Sequence, residues 1–290
     1  MNKLLSFFTF YFLAFSIIIS LFNWVVDPFW YYRAVEIQGF NQIKSEFNYF
    51  ERQFKPLILA KEKPQVIILG SSYSEIGLDP MHPALTKNRT KSYNFGMIGA
   101  SWDQILCNFH FAIQKSSITQ VVLGINVRTK YVDADCSKKI ESMEQPNHIN
   151  NLMSLKVVKH SILTLLQQSP LDATHTPEGL FFYTKRSSIV KERFLNRVSR
   201  TICPHLFDRP GNKPEDHNLK GFRSVIRSAL AQNISLKIII NPMHAYHYEN
   251  LIRCGTDISY WNELYLIVKT LEQETSQSPP PASQIRRPLR

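Results

Sequence analysis

Small and polar side chains follow successive short apolar runs of the sequence. The pair Ser71 and Ser72 follows the first run, Gly99 lies shortly after the second, Asn126 ends the third, and His244 follows the fourth. Acyl transfer through a serine needs these residue types. The hydroxyl is a weak nucleophile until a base such as histidine takes its proton. Backbone N–H groups beside glycine and an asparagine amide can stabilise the tetrahedral oxyanion. The sequence therefore predicts a serine-based acyl-transfer site.

These residues can share one site only if the apolar runs are neighbouring strands. The runs cover residues 66–69, 92–95, 121–123 and 236–240, and the first closes with Gly70. Helical patterns separate them, so we predict an α/β fold with a mainly parallel sheet and helices on both faces. Carboxyl ends of parallel strands meet at one edge, where ligands bind.

Two helical segments between the runs have clear signals. The sequence Ser101-Trp102-Asp103-Gln104 is a capping-box pattern and predicts a helix to about Lys115. Residues 218–233 have apolar side chains at helical spacing. Residues 127–216 are predicted to form a helical insertion with long loops.

The order of the motifs resembles that of SGNH/GDSL hydrolases, over about residues 65–261. Gly70-Ser71-Ser72 matches the Gly-Asp-Ser block, residues 94–99 match Asn-x-Gly-x-x-Gly, and residues 124–126 match Gly-x-Asn. The resemblance implies a three-layer fold with Ser72 as nucleophile, and Gly99 and Asn126 as oxyanion donors. It implies no cofactor and no metal. A shift of one residue in the first turn would exchange Ser71 and Ser72.

Three positions depart from the family pattern. Ser71 replaces the aspartate of the first block, and Val127 replaces the aspartate after the third. Asn241-Pro-Met-His244 replaces Asp-x-x-His, and asparagine can orient an imidazole but cannot stabilise an imidazolium as a carboxylate does. Membrane-anchored members of the family carry a further strand and histidine motif where this sequence becomes a polar tail. His244 is the only candidate for the catalytic base within this sequence. The resemblance also allows a truncated copy, in which His244 would instead be a substrate-binding or structural residue.

The N-terminal segment Leu4–Val26 has no charged side chain and is long enough to cross a bilayer. Lys3 precedes it, aromatic residues follow it, and Asp27-Pro28 ends it. A cleaved signal peptide is the alternative, but its apolar region would be shorter and would end in small residues. We expect a single-pass anchor in the bacterial inner membrane, with the main domain in the periplasm.

Composition narrows the remaining possibilities. The net charge is +11, but the basic residues are scattered and match no nucleic-acid-binding motif, so nucleic acid is not expected as a partner. The four widely spaced cysteines exclude zinc-finger and CxxC motifs and leave their pairing open. His244, His247 and Glu249 do not have a known metal-ligand spacing.

The sequence thus predicts four segments: an anchor (1–30), a linker with a helical arm that ends at Lys55-Pro56 (31–60), an SGNH-like domain (61–271) and a disordered tail (272–290). The predicted function is a serine esterase or O-acyltransferase that acts on cell-envelope carbohydrate. The alternative is a non-catalytic polysaccharide-binding or degenerate protein of the same fold.

Overall fold

The described part of the chain contains a parallel four-stranded sheet. The computed structural model describes residues 2–127, 129, 135–144, 152–182, 192, 216–243 and 245–276. The strands are β1 (Val66–Leu69), β2 (Ser92–Asn94), β3 (Gln120–Ile125) and β4 (Ser235–Ile240), in the order β2-β1-β3-β4. Every neighbouring pair is parallel. The prediction of an α/β fold with a parallel sheet is confirmed; the SGNH arrangement of its layers stays a prediction.

The described residues also form helices. They are α1 (Asn2–Val26), α2 (Glu51–Glu62), α3 (Ser72–Gly77), α4 (Trp102–Lys115), α5 (Cys136–Glu144), α6 (Leu155–Leu166), α7 (Asp216–Ala231), α8 (Ala245–Arg253) and α9 (Asp257–Ser276). The helix predicted from Ser101 to Lys115 is confirmed as α4, and the stretch at 218–233 lies mostly in α7.

Strand β1 is buried on both of its faces. Ile67 and Leu69 belong to the main apolar core, which also contains Phe54 of α2. Val66 and Ile68 point to the opposite face, because side chains alternate along a strand, and they are also buried. A strand covered on both faces has a continuous apolar sequence, as this one does.

Helix α2 continues past the proline at which the helical arm was predicted to end. Pro56 lies inside α2, and the helix ends only at Glu62. Proline removes one helical hydrogen bond. Burial of Phe54, Ile58 and Leu59 compensates for that loss.

Helix α9 extends past residue 271, the predicted end of the domain. Helix α9 ends at Ser276, and Glu274 accepts hydrogen bonds from Arg227 of α7 at 2.6 and 2.8 Å. A bidentate pair of this kind holds the last turn against the domain. Residues 277–290 of the predicted tail lie outside the described residues.

Disulfide pairing, which the sequence left open, is visible for one complete pair. Cys107 of α4 bonds to Cys136 of α5, with their Cα atoms 5.0 Å apart. Cys254 is also disulfide-bonded. The link fixes the start of α5 against the helix that covers the sheet.

The apolar N-terminal helix is joined to the domain by polar contacts. Residues Lys3–Val26 are long and apolar enough to cross a membrane, and their large side chains are mostly exposed. At the end of the helix, Lys44 Nζ donates a hydrogen bond to the Val26 carbonyl oxygen at 2.7 Å, and Asn41 Nδ2 donates one to that of Val25 at 2.8 Å. The last turn of α1 is therefore part of the folded domain.

Two glycines let α3 approach the sheet closely. Gly70 ends β1 with φ of +145°, and Gly124 lies in β3; both backbones touch the fully buried Ser74 of α3. A Cβ atom at either glycine would overlap the Ser74 hydroxyl. The glycines that mark the sequence motifs thus provide the space for this short helix.

We expect Gly124→Ala to lower the free energy of unfolding by about 1–3 kcal/mol, because the added methyl group forces Ser74 away from the strand. Gly77→Ala is the matched control, since nothing lies within 4 Å of a Cβ atom there. It should change stability by less than about 0.5 kcal/mol. Denaturant unfolding of the full chain in detergent measures both, and equal effects would contradict the close packing at Gly124.

Candidate functional site

Ser71, Asn126 and Asn241 form a polar rim at the carboxyl ends of the strands, and this rim lies where the strand order reverses. From β1 the chain passes to β2 on one side, then returns to β3 on the other, so β1 and β3 flank a switch point. Ser71 follows β1 and Asn126 follows β3. The Asn126 Nδ2 amide donates a hydrogen bond to Ser71 Oγ at this point. The structure therefore brings together two of the residues singled out in the sequence.

Asn241 fixes the orientation of the Asn126 side chain. Asn241 Nδ2 donates a hydrogen bond to Asn126 Oδ1 at 2.8 Å, and it also lies 3.3 Å from the Ser74 hydroxyl oxygen. With its carbonyl oxygen held by Asn241, Asn126 turns its NH₂ group toward Ser71. The sequence suggested that Asn241 would orient an imidazole, whereas its amide contacts Asn126 and Ser74. His244 lies outside the described residues.

The two serines of the first motif have different surroundings. Ser71 is buried, and its hydroxyl is the one that meets Asn126. Ser72 is the first residue of α3 and is half-buried. Within the described residues its hydroxyl makes no hydrogen bond. The register of the turn thus directs Ser71 to the rim, while the assignment of Ser72 as nucleophile stays a prediction.

The loop after β2 packs beside the end of β1. Its Met97 N–H donates a hydrogen bond to the Gly70 carbonyl oxygen at 3.2 Å. Arg52 Nη2 donates to the carbonyl oxygen of Ile98 at 2.5 Å, and Gly99 follows in the left-handed conformation with φ of +68°. Glycine adopts that conformation without steric cost. The oxyanion role of the Gly99 N–H stays a prediction.

Asn94, the first residue of the second motif, holds α3 in place. Its Nδ2 atom donates hydrogen bonds to the carbonyl oxygens of Ser74 at 3.0 Å and Leu78 at 2.8 Å, while Oδ1 accepts from the Gly96 N–H at 2.9 Å. Helix carbonyls near a C-terminus lack partners within the helix. Asn94 supplies a partner from outside the helix. Its contacts within the described residues are therefore structural.

A cluster of buried charged side chains lies next to the segments that follow β1 and β2. Lys55 Nζ lies 2.5 Å from Glu75 Oε1 and donates to the Gly96 carbonyl oxygen at 2.7 Å. His175 Nε2 lies 3.3 Å from Glu75 Oε1 and 3.7 Å from Glu51 Oε2. All four side chains are buried. The cluster joins α2, α3 and the loop after β2.

The two carboxyl groups of the cluster have pKa values that are shifted in opposite directions. Burial would raise the pKa of Glu75, but its hydrogen bond to His175 and the charge of Lys55 outweigh burial and lower the pKa to about 2. Burial raises the pKa of Glu51, and the neighbouring Glu75 raises it further. Glu75 is therefore the anionic partner of Lys55.

The same cluster has ligand atoms close enough to hold a metal ion. One ligand atom each of Glu51, Glu75 and His175 lies within 4.8 Å of the others. The ammonium group of Lys55 is already in contact with Glu75, so a second cation would meet a like charge at close range. We therefore assign a structural ion-pair network here. No sequence pattern indicates this network, because its members are far apart in the chain and have no motif spacing.

No protein-family model, curated protein or solved structure matches this chain.

We predict that Lys55→Met or Glu75→Gln alone lowers the free energy of unfolding by about 3–5 kcal/mol, because each leaves a buried charge without its partner. The double variant should lose much less than the sum of the two, since it leaves neither charge. Urea unfolding of the full chain in detergent, analysed as a double-mutant cycle, measures the coupling. Additive losses would show that the two groups do not form an ion pair.

The loss of folding stability caused by Glu75→Gln should depend on pH. A carboxyl group whose pKa is lowered by folding stabilises the fold above its unfolded-state pKa, and this stabilisation disappears as pH falls toward the folded-state value. Here the two values are 4.5 and about 2. The stability gap between wild type and Glu75→Gln should therefore narrow from pH 5 to pH 3. A constant gap over this range would contradict the assignment of Glu75 as the anion.

Proposed function

We propose that this chain is a membrane-anchored serine esterase or O-acyltransferase that acts on cell-envelope carbohydrate through an acyl-serine intermediate. The observation that carries the proposal is the Asn126 Nδ2 contact with Ser71 Oγ at the switch point. A hydroxyl group beside an oriented amide donor is the minimum that such a site needs.

In the proposed reaction, the serine oxygen attacks the carbonyl carbon of an ester while a base takes the hydroxyl proton. The Asn126 amide and an N–H of the loop at Gly99 donate to the oxyanion. Collapse of this intermediate returns the proton to the leaving alcohol oxygen and leaves an acyl-serine. Water or a sugar hydroxyl then accepts the acyl group, which decides between hydrolysis and transfer. His244 is the base proposed from the sequence.

The contact with Asn126 favours Ser71 as the attacking serine, whereas the motif alignment favours Ser72. An oxyanion donor must lie beside the reacting carbon, and this carbon is bonded to the nucleophile oxygen. Ser71 meets that condition in the structure. Both serines therefore enter the test.

The disulfides and the end of α1 support a location outside the cytoplasm. The bond between Cys107 and Cys136 is of a kind that persists in the periplasm and is rare in the cytosol. Cleavage of α1 as a signal peptide would remove Asn23 and the Val26 carbonyl, which bond to the domain. We therefore propose that α1 remains attached and crosses the inner membrane.

A non-catalytic polysaccharide-binding protein of the same fold is the second candidate. The contacts of Asn241 favour this second candidate, because its amide donates to Asn126 and Ser74. A catalytic site would place a carboxylate for its histidine at this position. A polar rim without an activated serine could still bind sugar hydroxyl groups.

Fluorophosphonate labelling of the full chain in detergent tests for an activated serine. We expect wild type to be labelled, Ser71→Ala to be unlabelled, and Ser72→Ala to keep its label. Asn126→Ala should react about 10²–10³ times more slowly, as expected for the loss of one oxyanion donor. His244→Ala should also lose labelling if His244 is the base.

Label that depends on Ser72 instead of Ser71 would restore the motif alignment and reject the assignment from geometry. An unlabelled wild type, with the Cys107–Cys136 disulfide intact, would reject the enzyme in favour of the binding protein. The disulfide serves as the check that the domain is folded.

A further inference from the structure

Helix α6 exposes apolar side chains along one face. Leu155 is 69% exposed, Ile162 is 45% exposed and Leu166 is 76% exposed. Their spacing places them on one side of the helix, together with the exposed Lys159. A helix in water exposes polar side chains, so this face does not fit an aqueous surface.

The buried side of α6 carries small polar residues at its contact with α1. Ser161 and Thr164 are fully buried, and Ser161 Oγ donates a hydrogen bond to Asn23 Oδ1 of α1 at 2.9 Å. Asn23 Nδ2 donates in turn to the Leu152 carbonyl oxygen at 2.7 Å, just before α6 begins. Small residues and polar hydrogen bonds at the contact, with apolar residues outside, are typical of helices that pack in lipid.

We propose that the exposed face of α6 lies in the lipid bilayer, beside α1, as a second membrane contact that does not span. The inference rests on the proposed insertion of α1, because α6 packs against the last turns of that helix. Its 12 residues extend over about 18 Å, well short of the roughly 30 Å hydrocarbon core. The helix therefore belongs at the periplasmic interface of the membrane.

The charges of α6 fit a phospholipid surface. Lys156 and Lys159 are exposed, and the helix contains no acidic residue. A lysine on an apolar face can extend its ammonium group to the headgroups while its stem stays among the acyl chains. Both ammonium groups would lie near phosphates, which anionic lipids supply at highest density.

A second lipid contact would fix the orientation of the domain. A domain attached through α1 alone could rotate and tilt together with that helix in the bilayer, whereas α1 and α6 together define a plane. The polar rim would then keep a constant height and direction relative to the membrane surface.

Photo-crosslinking to lipid tests the proposal. The full chain is reconstituted in vesicles of phosphatidylethanolamine and phosphatidylglycerol, with p-benzoylphenylalanine replacing Leu155 or Leu166. Ile258 of α9, also 69% exposed, is the matched control, and Phe12 of α1 reports on insertion of the anchor. After irradiation, mass spectrometry measures the fraction of protein that has gained the mass of a phospholipid.

We expect adducts at Phe12, Leu155 and Leu166, each at a yield several-fold above that at Ile258. If Phe12 forms adducts but the yields at Leu155 and Leu166 equal that at Ile258, the proposal for α6 is overturned and the anchor is retained. Lack of adducts at Phe12 would overturn the proposed anchor and the role of α6 together. Fluorophosphonate labelling tests the serine chemistry independently of these outcomes, so the proposed enzyme activity and the proposed lipid contact fail separately.

Discussion

The buried ion pair between Lys55 and Glu75 is the contact on which the arrangement of the rim depends. Taking two charges out of water costs several kcal/mol for each ion, and only close mutual contact repays that cost. Lys55 therefore requires Glu75 of α3 and the Gly96 carbonyl oxygen to stay within reach at the same time. Any displacement of α3 or of the loop after β2 leaves a charge without a partner. The pair specifies geometry more than it adds stability. It thereby fixes the positions of the residues that follow β1 and β2.

The rim itself is a chain of hydrogen bonds across three neighbouring strand ends. Asn241 after β4 holds Asn126 after β3, and Asn126 meets Ser71 after β1. The carbonyl oxygen of Asn126 accepts from Asn241 and its NH₂ group faces Ser71, so this donor is set before any ligand arrives. Preorganisation of this kind is what electrostatic catalysis requires. The same series of hydrogen bonds would also suit a binding site for hydroxyl groups. The reactivity of the serine distinguishes the enzyme from such a binding site.

The N-terminal side of the domain is built around the end of α1. The carboxylate of Asp27 accepts hydrogen bonds from the backbone N–H groups of Tyr31, Tyr32 and Arg33 at 2.7–2.9 Å. These bonds turn the chain sharply where the apolar helix ends. Asn23 joins the same region to α6. The aromatic and polar residues that mark this boundary in the sequence therefore act as a folded junction and not as a flexible linker.

The sequence by itself determined what depends on local patterns. Apolar runs predicted the strands, and the uncharged N-terminal stretch predicted α1. The capping-box pattern at Ser101 predicted the start of α4, although the Ser101 side chain makes no cap hydrogen bond there. The motif order also placed Asn126 at the correct strand end. Only the tertiary structure decided which contacts join distant residues. It chose Ser71 over Ser72 as the partner of Asn126, because a one-residue change of turn register is invisible in composition. It paired Cys107 with Cys136 and assembled the charged cluster, because such contacts depend on packing between elements and leave no regular spacing in the chain.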